Sequence, residues 1–262
     1  MFKEKILEIV KKIPYGRFLT YKEVAKKAGN ENAFRAVGNI LKNSKNLPCY
    51  RVVRSDYTIG GYLGRKDLEW LKLALLLKEG NICVMPTDTI YGICCSIFNK
   101  KSIEKVYKLR KRDKNKPSII LISSLNDLKI FKIRLDKNEK NLLKKLWPSK
   151  ISVVLPCPYK KFSYLHRGKK TLAFRIPKSK ELIKILKISG PLIAPSANIE
   201  GEKPAETIKE AKKYFGNNVL YYNKGRIIGK PSTIISFKNG KIYILRKGAD
   251  FGKLKKFIII RQ

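Results

Sequence analysis

The chain has 262 residues, of which 44% are hydrophobic and 30% are charged. This length and composition suit one large or two modest globular domains with a buried core. The sequence contains no run of about 18 apolar residues, which argues against a membrane span, and its first residues lack the apolar stretch of a signal peptide. We therefore expect a cytoplasmic protein without a membrane partner.

The cysteine pattern argues against a zinc centre. The five cysteines are odd in number and show no C-x-x-C spacing, and the chain has a single histidine, His166. Structural zinc sites need four cysteine or histidine ligands at characteristic spacings. We therefore predict reduced thiols and no metal-binding residues.

The net charge of +39 is extreme. The segment 1–66 carries fifteen basic and five acidic residues, or +10, which leaves +29 for residues 67–262. Both parts are basic, so the charge does not belong to a tail. A polyanionic partner such as nucleic acid explains this charge, and so does a lysine-rich composition spread over solvated faces. Charge alone does not separate the two explanations.

The first 66 residues predict three short helices. Apolar residues at helical spacing mark residues 2–13, and a capping box in TYKE starts a second helix that ends near Ala28. A glycine turn precedes a third helix in AFRAVGNILKN. This is the pattern of a helix-turn-helix, with Arg35 and Asn39 on the open face of its second helix. The glycine-rich TIGGYLG that follows suits a wing.

From about Asp67 onwards, strand-like and helix-like segments alternate. Predicted strands include ICVMP, SIILI, ISVVL and TLAFRI, separated by helices such as KSIEKVYKLRKR and KSKELIKIL. Alternation of this kind predicts an α/β domain. We therefore predict two units, a small winged helix-turn-helix-like domain over 1–66 and an α/β domain over 67–262.

Three polar loops in the larger unit are candidates for a site. PTDTIYG follows a buried strand, RKRDKNKP closes a helix with a run of cations, and APSAN offers small residues that let backbone N–H groups approach an anion. Singly, each fits an ordinary turn, a solvated helix end or a capped loop. Together they predict a site for a phosphate-bearing ligand and a small hydrogen-bonding substrate.

The larger unit resembles the YrdC-type threonylcarbamoyl-AMP synthases. The motifs PTDTIYG, KRDKNKP, AFRIP, PLIAPSAN, PSTII and ILRKGA occur in that order over about residues 70–250. The resemblance implies a twisted α/β fold around a concave positive cavity. It also implies synthesis of threonylcarbamoyl-AMP and pyrophosphate from L-threonine, bicarbonate and ATP, and delivery of that adenylate to the tRNA threonylcarbamoyl-transfer machinery.

The resemblance also assigns site residues. Thr87 and Arg110 would bind threonine, and Arg110 and Arg112 would be catalytic, through positioning and charge neutralisation rather than a protein nucleophile. Mg²⁺ would accompany the phosphates of ATP. The residues that would hold ATP are Arg112, Lys116, Arg175, Ser196, Asn198 and Arg246. Arg110 stands where the family usually has lysine, and WPSKISVVL replaces the usual WPGPLT pattern.

The smaller unit resembles the DNA-binding domain of the alkylguanine-DNA alkyltransferases and the alkyltransferase-like proteins. IPYGRFLTY, RAVGN, PCYRVVRSD and IGGYLG carry this resemblance. It implies nucleic-acid binding by Arg35, which enters the base stack, and by Tyr21, which helps rotate a flipped nucleotide. Cys49 matches the alkyl acceptor, but Tyr50 replaces the histidine that activates the thiol. Glu79 is a candidate for the glutamate of that relay, although it lies about one turn too far along.

Our main hypothesis is a synthase that carries a nucleic-acid-binding domain, with Cys49 as a vestigial alkyl acceptor. One alternative is a YrdC-fold protein that binds double-stranded RNA or nucleotide without synthase activity. Another is an alkylated-DNA binding or repair protein that acts through the N-terminal domain. The intact Thr87, Ser196, Asn198 and Arg246 favour the enzyme, and Tyr50 argues against repair. Both DNA and tRNA stay open as partners of the small unit.

Overall fold

The computed structural model describes residues 1–44, 46–238 and 241–258. Within these ranges, helices and strands alternate after a helical N-terminal segment, as the sequence predicts. The helices are α1 Phe2–Lys11, α2 Tyr21–Lys27, α3 Phe34–Lys42, α4 Glu69–Lys78, α5 Lys100–Leu109, α6 Lys137–Leu146, α7 Ser163–His166, α8 Lys180–Ser189, α9 Ile208–Phe215 and α10 Phe251–Ile258. The strands are β1 Leu19–Thr20, β2 Val52–Val53, β3 Cys83–Pro86, β4 Tyr91–Ser96, β5 Ile120–Leu121, β6 Ile151–Pro156, β7 Thr171–Arg175, β8 Leu192–Ile193, β9 Leu220–Tyr221, β10 Thr233–Lys238 and β11 Lys241–Arg246.

The small unit packs α1, α2 and α3 around a core of its own. The predicted capping box forms, because Thr20 Oγ1 accepts from Glu23 N at 3.2 Å and Glu23 Oε2 accepts from Thr20 N at 2.6 Å. The buried side chains include Ile6, Val24 and Val37, one from each helix. Strands β1 and β2 pair in parallel and close this unit. The predicted helix-turn-helix is confirmed.

The larger unit is built on a mixed, twisted sheet. In the described part of the chain its strand order is β11-β10-β6-β7-β5-β8-β4-β3-β9. Parallel pairs (β10 with β6, β5 with β7, β3 with β9) are interspersed among antiparallel ones. Most strand residues between the edges are buried on both faces, because helices cover the sheet. The predicted α/β class is confirmed.

Strand β4 and helix α6 are among the elements that are not predicted from the sequence. Strand β4 has the sequence YGICCS and is buried at every position, so it lacks the alternation that identifies a half-buried strand. Helix α6 is rich in lysine and buries only Leu143 and Leu146, so its apolar stripe is narrow. The sequence does not predict either element because periodicity is informative only when one face is clearly apolar and the other is polar.

The two units are joined by backbone pairing and by a shared core. Ile59 N donates to Tyr221 O at 3.0 Å, and Tyr221 N donates to Tyr57 O at 3.0 Å, so the small unit continues the β9 edge of the sheet. Val53 and Ile59 of the small unit pack in one cluster with apolar residues of α4 and α8. The predicted boundary at residue 66 therefore stays a prediction, since α4 contacts both units. None of the helices in the ranges described above is both long and apolar enough to cross a membrane.

Candidate functional site

A cavity of about 140 Å³ lies where several strands of the sheet end. Thr87 follows β3, Arg175 ends β7 and Arg246 ends β11, while Ser196 lies shortly beyond β8. All four side chains line the cavity, as does Arg112. Strands β7 and β11 run antiparallel to β3 and β8, so these residues reach the cavity from opposite edges of the twisted sheet. The sheet therefore brings together loops that are far apart in the sequence.

Gly92 lets the PTDT and APSAN loops approach each other. A Cβ at this position would lie 2.5 Å from Thr87 Cγ2 and 3.2 Å from Pro195 O, and the first distance is shorter than a side chain tolerates. Gly92 also pairs with Ser196 in an isolated β-bridge. The hydroxyl of Thr87 donates to Ile90 O at 2.7 Å and is turned into its own loop. Glycine is required here by the close contact between the two loops.

Arg112, Arg175 and Arg246 make the cavity cationic. Burial lowers the pKa of Arg246, and the neighbouring charges of Arg175 and Arg112 lower it further. Three guanidinium groups that repel one another in a partly buried space have a net electrostatic cost. An anionic ligand would remove this repulsion, so the cavity is suited to phosphate or carboxylate groups.

Asp88 pairs with one of these arginines, Arg175. Arg175 Nη2 donates to Asp88 Oδ1 at 3.0 Å, and Lys178 N donates to Asp88 Oδ2 at 3.0 Å. Burial raises the pKa of Asp88 and lowers the pKa of Arg175, so desolvation outweighs their mutual attraction. Asp88 has a φ of 65°, an uncommon conformation for a non-glycine residue. No role is predicted for Asp88 from the sequence, although it stands inside PTDT.

Arg110 lies behind the cavity rather than on its surface. Its Nε donates to Asn198 O at 3.0 Å, and its Nη2 donates to Ser196 Oγ at 3.1 Å. Arg110 is 2% exposed, and burial lowers its pKa to about 10, helped by the charge of Arg112. Arg110 Nη1 has no hydrogen-bond partner within the described residues. The structure thus joins Arg110, Ser196 and Asn198 in one network.

Lys116 does not line the cavity, and its partner is an acid. Lys116 Nζ lies 3.3 Å from Glu200 Oε1, and Arg112 Nη1 lies 3.5 Å from the same oxygen. Asp113 N also donates to Glu200 at 2.7 Å. Glu200 therefore ties the cationic loop to the segment after APSAN. No sequence signal marks Glu200, because its partners are distant along the chain.

The second candidate site is a cavity of about 320 Å³ in the small unit. It is lined by Tyr21, Cys49 and Tyr62, with glycines 60, 61 and 64 in the segment predicted as a wing. The thiol of Cys49 contacts Ser44 O at 3.5 Å, and burial raises its pKa. A buried thiol with a raised pKa is a weak nucleophile at neutral pH.

Tyr50 and Arg51 bind Glu79 instead of activating Cys49. Tyr50 OH donates to Glu79 Oε1 at 2.7 Å, and Arg51 Nε donates to Glu79 Oε2 at 3.0 Å. Burial and the hydrogen bond to Glu79 raise the pKa of Tyr50 to about 12. The additional turn in the sequence therefore does not prevent Glu79 from reaching the residue after Cys49. A phenol with this pKa stays protonated and does not accept the thiol proton.

Lys72 is a buried cation that no sequence pattern marks. It is 1% exposed, and its Nζ donates to Val52 O at 2.6 Å. Burial lowers its pKa to about 7, and an electrostatic interaction with Cys49 partly opposes this. The Tyr21 ring lies over it, with Lys72 Nζ 5.6 Å from the ring centroid.

The predicted nucleic-acid residues occupy two different surroundings. Arg35 is exposed on α3, and its guanidinium lies 5.9 Å from the Phe34 ring centroid. Tyr21 lines the Cys49 cavity and also a smaller neighbouring cavity that includes Phe34 and Arg54. Arg35 lines neither cavity, so the structure brings Tyr21, but not Arg35, next to Cys49. The part of the chain that the structure describes has no cluster of three metal-ligating side chains.

Comparison with known proteins places this architecture in a family. A family model of the Sua5, YciO and YrdC proteins, described as "Telomere recombination", matches residues 75–248. The chain belongs to this family. A second model, described as "6-O-methylguanine DNA methyltransferase, DNA binding domain", matches residues 1–81. Both resemblances inferred from the sequence motifs are confirmed, and the two matches overlap in α4.

Curated relatives carry the name threonylcarbamoyl-AMP synthase. One from Bacillus subtilis is 29% identical over 198 residues, which is 71% of this chain and 55% of that protein. A putative one from Methanocaldococcus jannaschii is 33% identical over 188 residues, 70% of this chain and 86% of that protein. The chain spans about half the length of the relatives from B. subtilis and Pyrococcus abyssi.

Solved structures share the fold of the larger unit. The crystal structure of P. abyssi Sua5 complexed with L-threonine is 26% identical, with a TM-score of 0.64 over 70% of this chain and 54% of that one. The crystal structure of Escherichia coli YciO has a TM-score of 0.63 at 22% identity, over 72% of this chain and 92% of that one. The twisted YrdC-like fold is thus confirmed.

Proposed function

We propose that this protein is an L-threonylcarbamoyladenylate synthase. In this reaction the amine of L-threonine attacks the carbon of bicarbonate and water leaves, which gives a carbamate. A carbamate oxygen then attacks the α-phosphorus of ATP. The bond from the α-phosphorus to the bridging oxygen breaks, and pyrophosphate leaves. The observation that carries the proposal is the convergence of Arg112, Arg175 and Arg246 on one cavity. Charge neutralisation and alignment are the main needs of phosphoryl chemistry.

The proposal divides the pocket between two ligands, although Arg110 is hydrogen-bonded to Ser196 and Asn198. Arg112, Lys116, Arg175, Ser196, Asn198 and Arg246 would hold ATP, and Thr87 with Arg110 would bind threonine. Arg110 Nη1 is buried without a partner among the described residues, and an unpaired buried donor is costly. A carboxylate oxygen of threonine is a suitable acceptor for it. Of the two catalytic residues, Arg112 lines the cavity and would align the carbamate with the α-phosphate. Arg110 lies behind the cavity and would contribute by holding the threonine carboxylate together with Ser196.

Mg²⁺ would enter with ATP rather than occupy a protein site. The cavity offers hydroxyl groups and guanidinium groups, and Asp88 is engaged by Arg175 and Lys178 N. Mg²⁺ commonly binds through substrate phosphates with few protein ligands. When bound, the ion would neutralise charge on the phosphates that leave as pyrophosphate. The arginines would orient the remaining phosphate oxygens.

The adenylate would pass to the tRNA threonylcarbamoyl-transfer machinery. We propose that this takes place in the cytoplasm, where tRNA is present. The small unit would supply nucleic-acid binding through Tyr21 and Arg35. The exposure of Arg35 on α3 supports this role, and the Tyr50–Glu79 bond argues for binding without alkyl transfer. We propose residues 1–66 as the binding domain and 67–262 as the synthase domain.

Release of pyrophosphate tests the synthase. Purified protein with Mg²⁺ and ATP should release pyrophosphate only when threonine and bicarbonate are both present. Arg110→Ala should weaken the binding of threonine more than the binding of ATP. Ser196→Ala should weaken the binding of ATP more than that of threonine. Arg110→Lys keeps the charge without the paired bonds to Ser196 and Asn198, and so separates these two contributions. Turnover without threonine, or none in a folded sample, would exclude the synthase.

A further inference from the structure

A cavity of about 690 Å³ lies between the two units, apart from both sites described above. It is lined by residues 15–18 of the small unit, by residues 79–82 after α4, and by residues of α5 in the larger unit. Residues 217–219, which precede β9, complete it. We call this cavity the inter-unit cleft. Its volume is within the range of ligand-binding cavities in proteins.

The side of the inter-unit cleft that belongs to the small unit is held in place. Tyr15 OH donates to Lys78 O at 3.1 Å, and Gly16 N donates to Glu79 Oε2 at 3.1 Å. Gly16 has a φ of 75°, and a Cβ there would lie 3.0 Å from Glu79 O. Because hydrogen bonds fix this loop against α4, the cleft is preorganised rather than a gap between independent bodies.

The inter-unit cleft is positively charged. Arg17, Lys101 and Lys105 line it, and all three are exposed. Glu23 also lines the cleft, and it accepts from Thr20 N at the start of its own helix. Three cations against this carboxylate leave an excess of positive charge, which favours an anion.

Two further acids near the inter-unit cleft are engaged by arginines. Glu79, which lines the cleft, is paired with Arg51, and Glu104 on α5 is paired with Arg167. Their negative charge is therefore balanced before a ligand arrives. The positive charge of Arg17 and of the α5 lysines therefore remains available to phosphate groups.

Tyr15 gives the inter-unit cleft an open aromatic face. Its side chain is 67% exposed although its hydroxyl is anchored on Lys78 O. Phe18, also in the cleft, packs edge to face on Tyr57 with ring centroids 5.9 Å apart. An exposed ring whose position is fixed loses little entropy when a base stacks on it. Fixed aromatic rings beside cations are typical of sites for single-stranded nucleic acid.

We propose that the inter-unit cleft binds a single-stranded segment of nucleic acid. Lys101 and Lys105, one turn apart on α5, would contact successive phosphates together with Arg17, and an unpaired base would stack on Tyr15. A duplex keeps its base faces covered, so it does not use the Tyr15 ring. This site goes beyond the proposed synthase and is separate from the recognition helix α3. It does not depend on catalysis.

Fluorescence anisotropy with the full chain tests this inference. The probes are a labelled unstructured RNA of about 12 nucleotides, a DNA of the same sequence, and a duplex of about 16 base pairs, each long enough to span a typical protein site. Tyr15→Ala should weaken binding of the single strands about tenfold, because base stacking on an aromatic ring contributes ~1–3 kcal/mol. Tyr15→Phe keeps the ring and should retain most of the affinity. Arg35→Ala should weaken binding of the duplex and leave binding of the single strands nearly unchanged.

The lysine pair has a matched control in α6. Lys101→Ala/Lys105→Ala should reduce the slope of log affinity against log salt by about 1.4, or ~0.7 for each phosphate that is no longer neutralised on a single strand. Lys140→Ala/Lys144→Ala removes an exposed pair with the same spacing on α6 and should change the slope little. Equal affinity for RNA and DNA would show that the cleft recognises phosphates and bases. A higher affinity for RNA would show that the 2′-hydroxyl is also recognised. Equal reductions from both lysine pairs, or none from Tyr15→Ala, would overturn the proposal.

Discussion

The two units place their cations in different surroundings. In the larger unit, Arg112, Arg175 and Arg246 converge on a cavity, and the guanidinium of Arg246 donates to the neutral carbonyl of Ser232. In the small unit, Arg51 is paired with Glu79. Of the three cavity arginines, Arg175 is paired with Asp88 and Arg112 lies 3.5 Å from Glu200. Arg246 has no acidic partner among the described residues, so its positive charge is available for a ligand. The arrangement in the small unit satisfies its polar groups internally and so stabilises the fold.

The same residue types thus serve chemistry or architecture according to their partners. Tyr50 and Arg51 follow Cys49 in the chain, but they donate hydrogen bonds to Glu79, and the thiol contacts Ser44 O instead. A motif match therefore identifies a site, and the bonding pattern indicates whether the site is active. Experiments on both units would strengthen or break this distinction.

The largest expected effect is a gain of reactivity at Cys49. Wild-type protein incubated with alkylguanine-containing DNA should stay almost unmodified, because Tyr50, with a pKa of about 12, does not accept the thiol proton. Tyr50→His supplies an imidazole, and a general base contributes ~10²–10⁴-fold. Mass spectrometry of Cys49 measures the result. Tyr50→Phe is the control and should gain nothing. Rapid alkylation of the wild type would make the small unit a repair enzyme.

The next effect concerns the arginines of the cavity. Arg246→Ala should reduce kcat/KM for synthesis by ~10²–10³-fold, the usual loss when one preorganised donor to developing charge is removed. Arg226 is a matched control, since it is exposed and bound to Glu206 at 2.7 Å. Arg226→Ala should leave the pyrophosphate assay nearly unchanged. Similar reductions in both variants would mean that general basic charge, not the cavity, supports the reaction.

Lys72 should make stability depend on pH. The folded protein loses the Lys72 proton near pH 7, because its pKa is lowered to about 7, whereas the unfolded chain keeps it to about pH 10.5. The unfolded state therefore binds more protons between these values, so the free energy of unfolding rises with pH there and falls as pH drops towards 7. The slope should approach about 1.4 kcal/mol per pH unit. Urea unfolding between about pH 7 and 9 measures it, and Lys72→Met should flatten the curve. An equal slope in the wild type and in Lys72→Met would contradict the lowered pKa of Lys72.

The smallest effect is expected at the recognition helix. Arg35→Ala should weaken duplex binding severalfold and reduce the salt slope by about 0.9, because one phosphate is no longer neutralised. Asn39→Ala, on the same exposed face of α3 but without charge, should leave the slope unchanged. Anisotropy titrations at several salt concentrations measure both. If Arg35→Ala changes neither affinity nor slope, the basic charge of the small unit has no role in this binding.

Local structure and the identity of the loops follow from the sequence alone. The capping box at Thr20 and Glu23 forms as its residues predict, because capping depends on neighbours three residues apart. The motif loops after β3 and β8 lie where the alternation of strands and helices puts them. The sequence does not predict strand β4, because burial on both faces removes the periodic signal.

Which of these residues act together depends on the tertiary structure. The sheet order, not sequence spacing, brings Arg175 and Arg246 to one cavity and places Arg110 behind Ser196. The packing of α4 brings Glu79 to Tyr50, 29 residues earlier, and the pairing of the two units sets residue 15 and α5 around the inter-unit cleft. Such contacts depend on how strands and helices pack over long separations. Local propensity contains no information about them, since it describes only neighbours along the chain.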